Sequence, residues 1–326
     1  MSLFKDQPPP AQPVASLKTG QTVDWYYRIL EINKRKKREN RGEYLSLLLM
    51  DGSGRIEAKV WDNIEIIGKL IQPNVICRIK GEVTEFQGKK QITVSQLRAV
   101  REGEPGLVES DFVEKPTFNL EETFAHMMAF LRSQITHPQL QRLLDLFTER
   151  HGAAFKSQYG AQKIHHAYLG GLLEHTDAVV HLAGQMADFY GLDRELLLIG
   201  ALFHDLGKIA EFELTPAIDT TLNGGLLGHI VIGHRLFMEL QNGIPGFDQT
   251  LSAKIQHLII SHHGEKEFGS PEVPKTPEAY VLHIVDLLDS RLNIFRDVAK
   301  KADGQRLFSE FQPTLGTRIL IDREKG

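Results

Sequence analysis

Leu196–Lys208 reads LLLIGALFHDLGK, an apolar run of helical length that ends on a His-Asp pair and is followed at once by Gly207 and Lys208. Burial of such a run carries its ionisable end inward, and burying those groups without partners is costly. Neutral imidazole and ionised carboxylate both ligate divalent metals, and a carboxylate can bridge two of them, so a metal would relieve that cost. Further candidates lie on both sides. His175 precedes His204 by 29 residues, His229 follows Asp205 by 24, His262 follows His229 by 33 with His263 beside it, and Asp286 lies 23 beyond His263. Spread over separate helices, this set is expected to converge as one metal cluster, as ligands do in di-metal bundles.

Outward from this stretch the pattern is helical. Leu120–Leu131 and Leu140–Arg150 have apolar residues at helical spacing, the second expected to end at Gly152. Helices are expected after Gly170-Gly171, over RELLLIGALFHDLGK, GLLGHIVIGHRLFMEL and SAKIQHLIISHHGE, and over PEAYVLHIVDLLDSRLNIF, where His283, Asp286 and Asp289 recur every three residues. After Arg296 the chain turns polar and irregular. His126, His137 and His151 read as surface or capping residues, and His181, His234 and His257 as satisfied core histidines.

The front of the chain is different in kind. Residues 1–110 hold 18 Lys and Arg against 14 Asp and Glu, net +4, which leaves −8 of the total −4 for the remainder, and none of the fourteen histidines precedes His126. Such asymmetry suggests an anionic polymer held by one part and processed by another. Five strand-like segments, TVDWYYRILEI, EYLSLLLMD, RIEAKVW, NVICRIKGEV and KKQITVSQLRAV, are separated by turn signals at Asp51-Gly52-Ser53-Gly54 and Gln87-Gly88, with a helical NIEIIGKLI after the third. That is the order of an OB-fold, a barrel that binds single strands on one face. KRKKRENR, Lys34–Arg41, falls between the first two strands, where a binding loop would neutralise phosphates through Lys34, Arg35, Lys36, Lys37, Arg38 and Arg41. Trp25, Tyr26, Tyr44, Trp61 and Phe86 are candidate stacking residues, Trp61 foremost, with core positions as the competing reading.

The expected organisation is multidomain α and β: a flexible segment 1–15, a five-stranded OB barrel 16–101, a linker 102–117, an all-α helical bundle 118–300 and a C-terminal arm 301–326. Hydrophobic content of 41% and charged content of 25% suit a soluble protein. The N-terminus carries no apolar signal core, and the lone Cys77 cannot form an internal disulfide, so the expected location is cytoplasmic, with no membrane partner.

GGLLEHT, ALFHDLGK, GGLLGHIVIG, SHHGEKEFGSP and LHIVDLLDSR, in this order and behind an OB-like domain, resemble the HD-domain metal-dependent phosphohydrolases, and within them the YhaM-type 3′→5′ exoribonucleases. The resemblance spans about residues 16–300. It implies hydrolysis of single-stranded RNA, or single-stranded DNA, from the 3′ end to nucleoside 5′-monophosphates. It also implies two divalent ions, Mn²⁺ first, with Mg²⁺, Fe, Co, Ni or Zn as alternatives. Carried over, His175, His204, Asp205 and Asp286 would hold the first ion, and Asp205 would bridge to a second on His229 and His262. His263 would be a ligand or touch the scissile phosphate. Lys208 would pair with a phosphate oxygen or orient a ligand. His165, His166 and His283 are candidates for substrate contact or for supporting the ligands. Competing readings are an HD nucleotide phosphohydrolase or cyclic-dinucleotide phosphodiesterase, and a single-strand-binding protein with a regulatory HD module. After His262-His263 this chain reads GEKEFGSP, without the Gly-Tyr-Pro signature of the cyclic-dinucleotide enzymes. A homo-oligomer enclosing the strand is expected, because one small barrel grips weakly.

Overall fold

In Gly54–Val60 the residues Ile56, Ala58 and Val60 are buried while Arg55 and Glu57 face water, the period-two pattern of a strand with one face on a core. The same logic builds β1 (Thr22–Lys36), β2 (Glu43–Asp51), β3 (Gly54–Val60), β4 (Ile76–Phe86) and β5 (Lys89–Ala99) in the computed structural model. The structure describes residues 8–36, 42–101, 103–112, 116, 118–160, 168–213, 219–301 and 307–321. The five strands close into a barrel in the order β1-β2-β3-β5-β4, sealed by the parallel pairing of β3 with β5. One long strand serves two neighbours: β1 pairs with β4 over its first half and with β2 over its second, with a register shift at Ile29/Glu31 between them. Such a bulge supplies the bend a closed barrel needs. A second shift at Lys80/Gly81 brings Gly81 so close to β5 that a Cβ there would stand 2.4 Å from the Thr93 carbonyl oxygen. Helix α1 (Ile64–Leu70) follows β3, as the OB order requires. Cys77 is buried in the barrel, and burial pushes its thiol up to about 12, so it is inert.

Two expectations about the edges of this unit need correction. Residues 12–16 are not a flexible lead-in: the Gln12 side chain accepts from Asp24 N–H, the Tyr27 hydroxyl donates to the Gln12 carbonyl, and Val14 N–H donates to Asp51. Part of the expected linker also belongs here, because Phe112 is buried against Tyr26 and Ile76.

The chain divides into two compact units, the second starting at Pro116. It comprises α2 (Leu120–Gln134), α3 (Pro138–Ser157), α4 (Gly171–Tyr190), α5 (Arg194–Phe203), α6 (Lys208–Glu211), α7 (Leu222–Gln241), α8 (Gln249–Ser261) and α9 (Pro277–Lys301), followed by a hairpin of β6 (Phe308–Gln312) and β7 (Thr317–Leu320). Its core is one continuous cluster in which Leu196–Phe203 of α5 are buried on every side, so α5 is the central helix. Helix α3 runs through Gly152 rather than ending there. Gly152 sits on the Phe124 ring, where a Cβ would meet it at 3.3 Å, so packing and not chain termination explains this glycine. Helix α9 continues past Arg296 to Lys301, and the arm beyond it is a hairpin rather than irregular. His234 and His257 are half-buried and satisfied by Gln256 and by the Lys275 N–H, but His181 is exposed, beside Asp177 and Phe130, and is not a core residue. Among the described residues, no helix is long and apolar enough to cross a membrane.

Candidate metal centre and nucleic-acid surface

Each histidine of the candidate centre sits where a helix begins, breaks or ends. His175 lies in the second turn of α4, whose N-cap Gly170 has φ 81°. Helix α5 stops at its C-cap His204, and the chain turns through Asp205 and Gly207 into α6. The turn is pressed onto α7: a Cβ on Gly207 would stand 1.9 Å from the His229 carbonyl oxygen. Helix α7 is kinked at Gly228 (φ 72°, ψ 160°), one residue before His229. His262 caps α8, and His263 follows it. Helix α9 presents His283, Asp286 and Asp289 from its middle.

Asp205 stands at the centre and its two oxygens face different ways. Oδ2 lies 3.4 Å from His204 Nε2 and 3.6 Å from His175 Nε2, while Oδ1 lies 3.4 Å from His229 Nε2 and 3.7 Å from His262 Nε2. Asp286 Oδ1 joins the first side at 3.2 Å from His175 Nε2. The ligand atoms of His175, His204 and Asp205 lie within 4.8 Å of one another, as do those of His229, His262 and His263.

The outer ring nitrogens explain why the inner ones point inward as acceptors. His204, His262 and His263 donate from Nδ1 to the carbonyl oxygens of Ala201, Ile259 and Phe268 at 2.7–2.8 Å. A carbonyl can only accept, so in the neutral ring the proton is on Nδ1 and Nε2 keeps its lone pair. His229 Nε2 and His262 Nε2 are buried without a hydrogen-bond partner. His175 Nε2 stands 3.2 Å from His204 Nε2, a hydrogen bond when the His175 ring carries its second proton. Buried acceptor nitrogens converging on a split carboxylate are a donor set suited to two divalent cations.

The charges fit the same reading. Burial would lower the His175 imidazolium, but hydrogen bonds to Asp286 and Asp289 outweigh it and raise the group to about 9. Burial would raise Asp205, yet the Lys208 ammonium and the surrounding histidines hold it well below the usual carboxylate range, and Asp286 is likewise lowered, mainly by His175 against the same burial. Burial lowers His262 and His263. Lys208 Nζ contacts Asp205 Oδ2 at 2.7 Å. His283 donates from Nδ1 to the His262 carbonyl at 2.9 Å and closes over Gly264, supporting the turn that carries His262 and His263. His165 and His166 lie outside the described residues.

Two groups have roles that the sequence reading did not assign. Asp289, placed on one face with His283 and Asp286 but given no role, accepts from His175 Nδ1 at 2.7 Å and is held in turn by Asn293 at 3.1 Å. Its spacing of three from Asp286 was the available signal. Glu211, which lies six residues beyond Asp205 in an unremarkable KIAE, contacts both the backbone N–H and Nδ1 of His229.

On the barrel the basic segment needs correction. β1 continues to Lys36, opposite Glu43, so Lys34, Arg35 and Lys36 are strand and not loop. Lys34 is not an open phosphate contact: it pairs at 2.8 Å with both Glu43 and Glu65, and these bonds raise its pKa. Arg35 and Lys36 are exposed, and Lys37, Arg38 and Arg41 lie outside the described residues. Trp61 stacks on Tyr44 with ring centroids 4.6 Å apart and keeps 38% of its surface exposed; Phe86 is exposed, Trp25 is half-buried, and Tyr26 is core.

A closed OB barrel ahead of a helical unit with a His/Asp centre defines an HD-domain hydrolase joined to a nucleic-acid-binding module. The family models agree: an HD domain matches residues 172–291, and an OB-fold nucleic acid binding domain matches residues 29–100. The chain is 34% identical over 278 residues to the 3′-5′ exoribonuclease YhaM of Bacillus subtilis (strain 168), across 84% of this chain and 87% of that protein. It belongs to the YhaM-type 3′-5′ exoribonuclease family. More distant likenesses in fold include the HD domain of the L. monocytogenes phosphodiesterase PgpH (18% identity, 51% of this chain and 80% of that one, TM-score 0.30). Another is a replication protein A heterotrimer bound to ssDNA (22% identity, 29% and 70%, TM-score 0.22).

Proposed function

We propose that the chain removes nucleotides from the 3′ end of single-stranded RNA as 5′-monophosphates, with the barrel gripping the strand and two divalent ions, Mn²⁺ first, at the His/Asp centre. The observation that carries this reading is the division of Asp205, one oxygen toward His175 and His204 and the other toward His229 and His262. His175, His204, Asp205 and Asp286 would hold one ion, and Asp205, His229 and His262 the other, with His263 completing that side. Bound there, such ions supply Lewis acidity toward phosphoryl oxygens and a more acidic water as nucleophile.

The protein's own groups have separable tasks. The carbonyl-bound Nδ1 protons hold the rings with their acceptors inward. Lys208 balances the Asp205 charge and fixes its orientation. Trp61 and Tyr44 offer a stacking surface that tolerates any base. The test is 5′-labelled single-stranded RNA incubated with Mn²⁺, Mg²⁺ or chelator. A ladder that shortens from the 3′ end, needs metal and disappears in Asp205→Asn supports the proposal. Cleavage confined to internal sites, or to free mononucleotides, would overturn it. Matched single-stranded DNA measures the RNA preference, and sedimentation of the intact protein tests the expected homo-oligomer.

A further inference from the structure

The five imidazoles of the centre are not all backed alike. His204, His262 and His263 lean on backbone carbonyls, but His175 and His229 lean on carboxylates, Asp289 and Glu211. One carboxylate-backed ring falls on each side of Asp205. A carboxylate behind an imidazole fixes its tautomer and makes the inner nitrogen a stronger ligand.

Glu211 does more than touch a ring. Oε1 accepts from the His229 backbone N–H at 3.1 Å and lies 3.3 Å from Nδ1, while Oε2 lies 3.2 Å from the same Nδ1. Helix α7 is kinked at Gly228, and the His229 N–H just past the kink donates to Glu211, a partner from outside the helix. Glu211 is itself clamped. Its carbonyl accepts from Thr221 N–H at 2.9 Å, the Thr221 hydroxyl donates to Ala210 O at 2.8 Å, and a Cβ on Gly224 would stand 2.2 Å from the Glu211 oxygen. With its backbone held in this way, the Glu211 carboxylate meets both a backbone donor and a ring donor of one residue, while its charge also acts on Lys208.

We propose that Glu211 is the positioning residue of the second metal site: it aims His229 Nε2 at Asp205 Oδ1 and so selects occupancy of the His229/His262/His263 side without governing the His175/His204/Asp286 side. This rests on the two-metal reading above. Loss of the charge and of both hydrogen bonds should loosen one ion only, and Asp289 should play the same part for the other.

The test is Mn²⁺ binding to the full chain by titration calorimetry, with metal content after desalting, for wild type, Glu211→Ala, Glu211→Gln and Asp289→Ala. Glu211→Ala should keep one Mn²⁺ per chain at wild-type affinity and bind the second about ten- to hundred-fold more weakly. Glu211→Gln, which retains an acceptor for the N–H but not the charge, should fall between. Asp289→Ala should weaken the opposite ion. Two undisturbed ions in Glu211→Ala, or equal weakening of both in Glu211→Ala and Glu211→Gln, would overturn the assignment. A wild-type chain that took up no divalent ion would instead refute the two-metal reading itself.

Discussion

At the scale of the residue, the centre is governed by where protons sit. Three rings are held by carbonyls in the tautomer that turns Nε2 inward, and Asp205 turns one oxygen to His175 and His204 and the other to His229 and His262. Asp205→Asn replaces one oxygen by a donor, cancels the central charge and removes the Lys208 ion pair, so hydrolysis should drop to background and Mn²⁺ binding should fail on both sides. Single-turnover assays and calorimetry on the same preparation check this. His175 sets the pH dependence. In the metal-free protein its pKa is raised to about 9, above the ordinary value of about 6.5, so its proton stabilises that state fully below about 6.5 and the contribution fades as pH rises through 9. A metal takes the place of this proton, and its apparent affinity should therefore rise with pH across that window, by up to about tenfold per unit. Calorimetry in buffers of different ionisation enthalpy should register proton release at neutral pH; none would contradict the assignment of the proton to His175.

At the scale of the element, glycines decide how closely helices bring the ligands. Gly207 has ordinary helical dihedrals, so its role is not conformational freedom but contact. A Cβ there would collide with the His229 carbonyl at 1.9 Å and with Gly233 N at 2.5 Å, backbone atoms that cannot rotate away. Gly207→Ala should separate the α5–α6 turn from α7, costing about 3 kcal/mol or more by the mechanism of overpacking. It should also halve or abolish metal uptake, read by thermal unfolding and by metal content. Unchanged stability would show that the two backbones can part without loss. The same distinction explains Gly152. Its chemistry suggested the end of α3, but the residue serves to admit the Phe124 ring, which no local pattern announces.

At the scale of the whole molecule, the proposed division of work between a holding barrel and a cutting helical unit can be tested directly. Trp61→Ala removes an exposed stacking ring from the barrel surface and should weaken binding of single-stranded RNA by about 1–3 kcal/mol. Hydrolysis of a dinucleotide, which needs no grip on a longer strand, should be unaffected. Filter binding beside dinucleotide turnover separates the two; equal loss on both would contradict the division. Lys34→Ala, by contrast, breaks ion pairs with Glu43 and Glu65 and should change RNA affinity little.

The sequence by itself determined the strand and helix types, the OB order, and the ordered His and Asp set. Those features depend on periodicities of two and 3.6 residues and on the chemistry of single side chains, all local. Only the tertiary structure decided which oxygen of Asp205 meets which histidine, that Asp289 and Glu211 stand behind His175 and His229, and that Lys34 is already paired. These meetings are set by how separate helices and strands pack, and local spacing carries no information about the partner that packing brings.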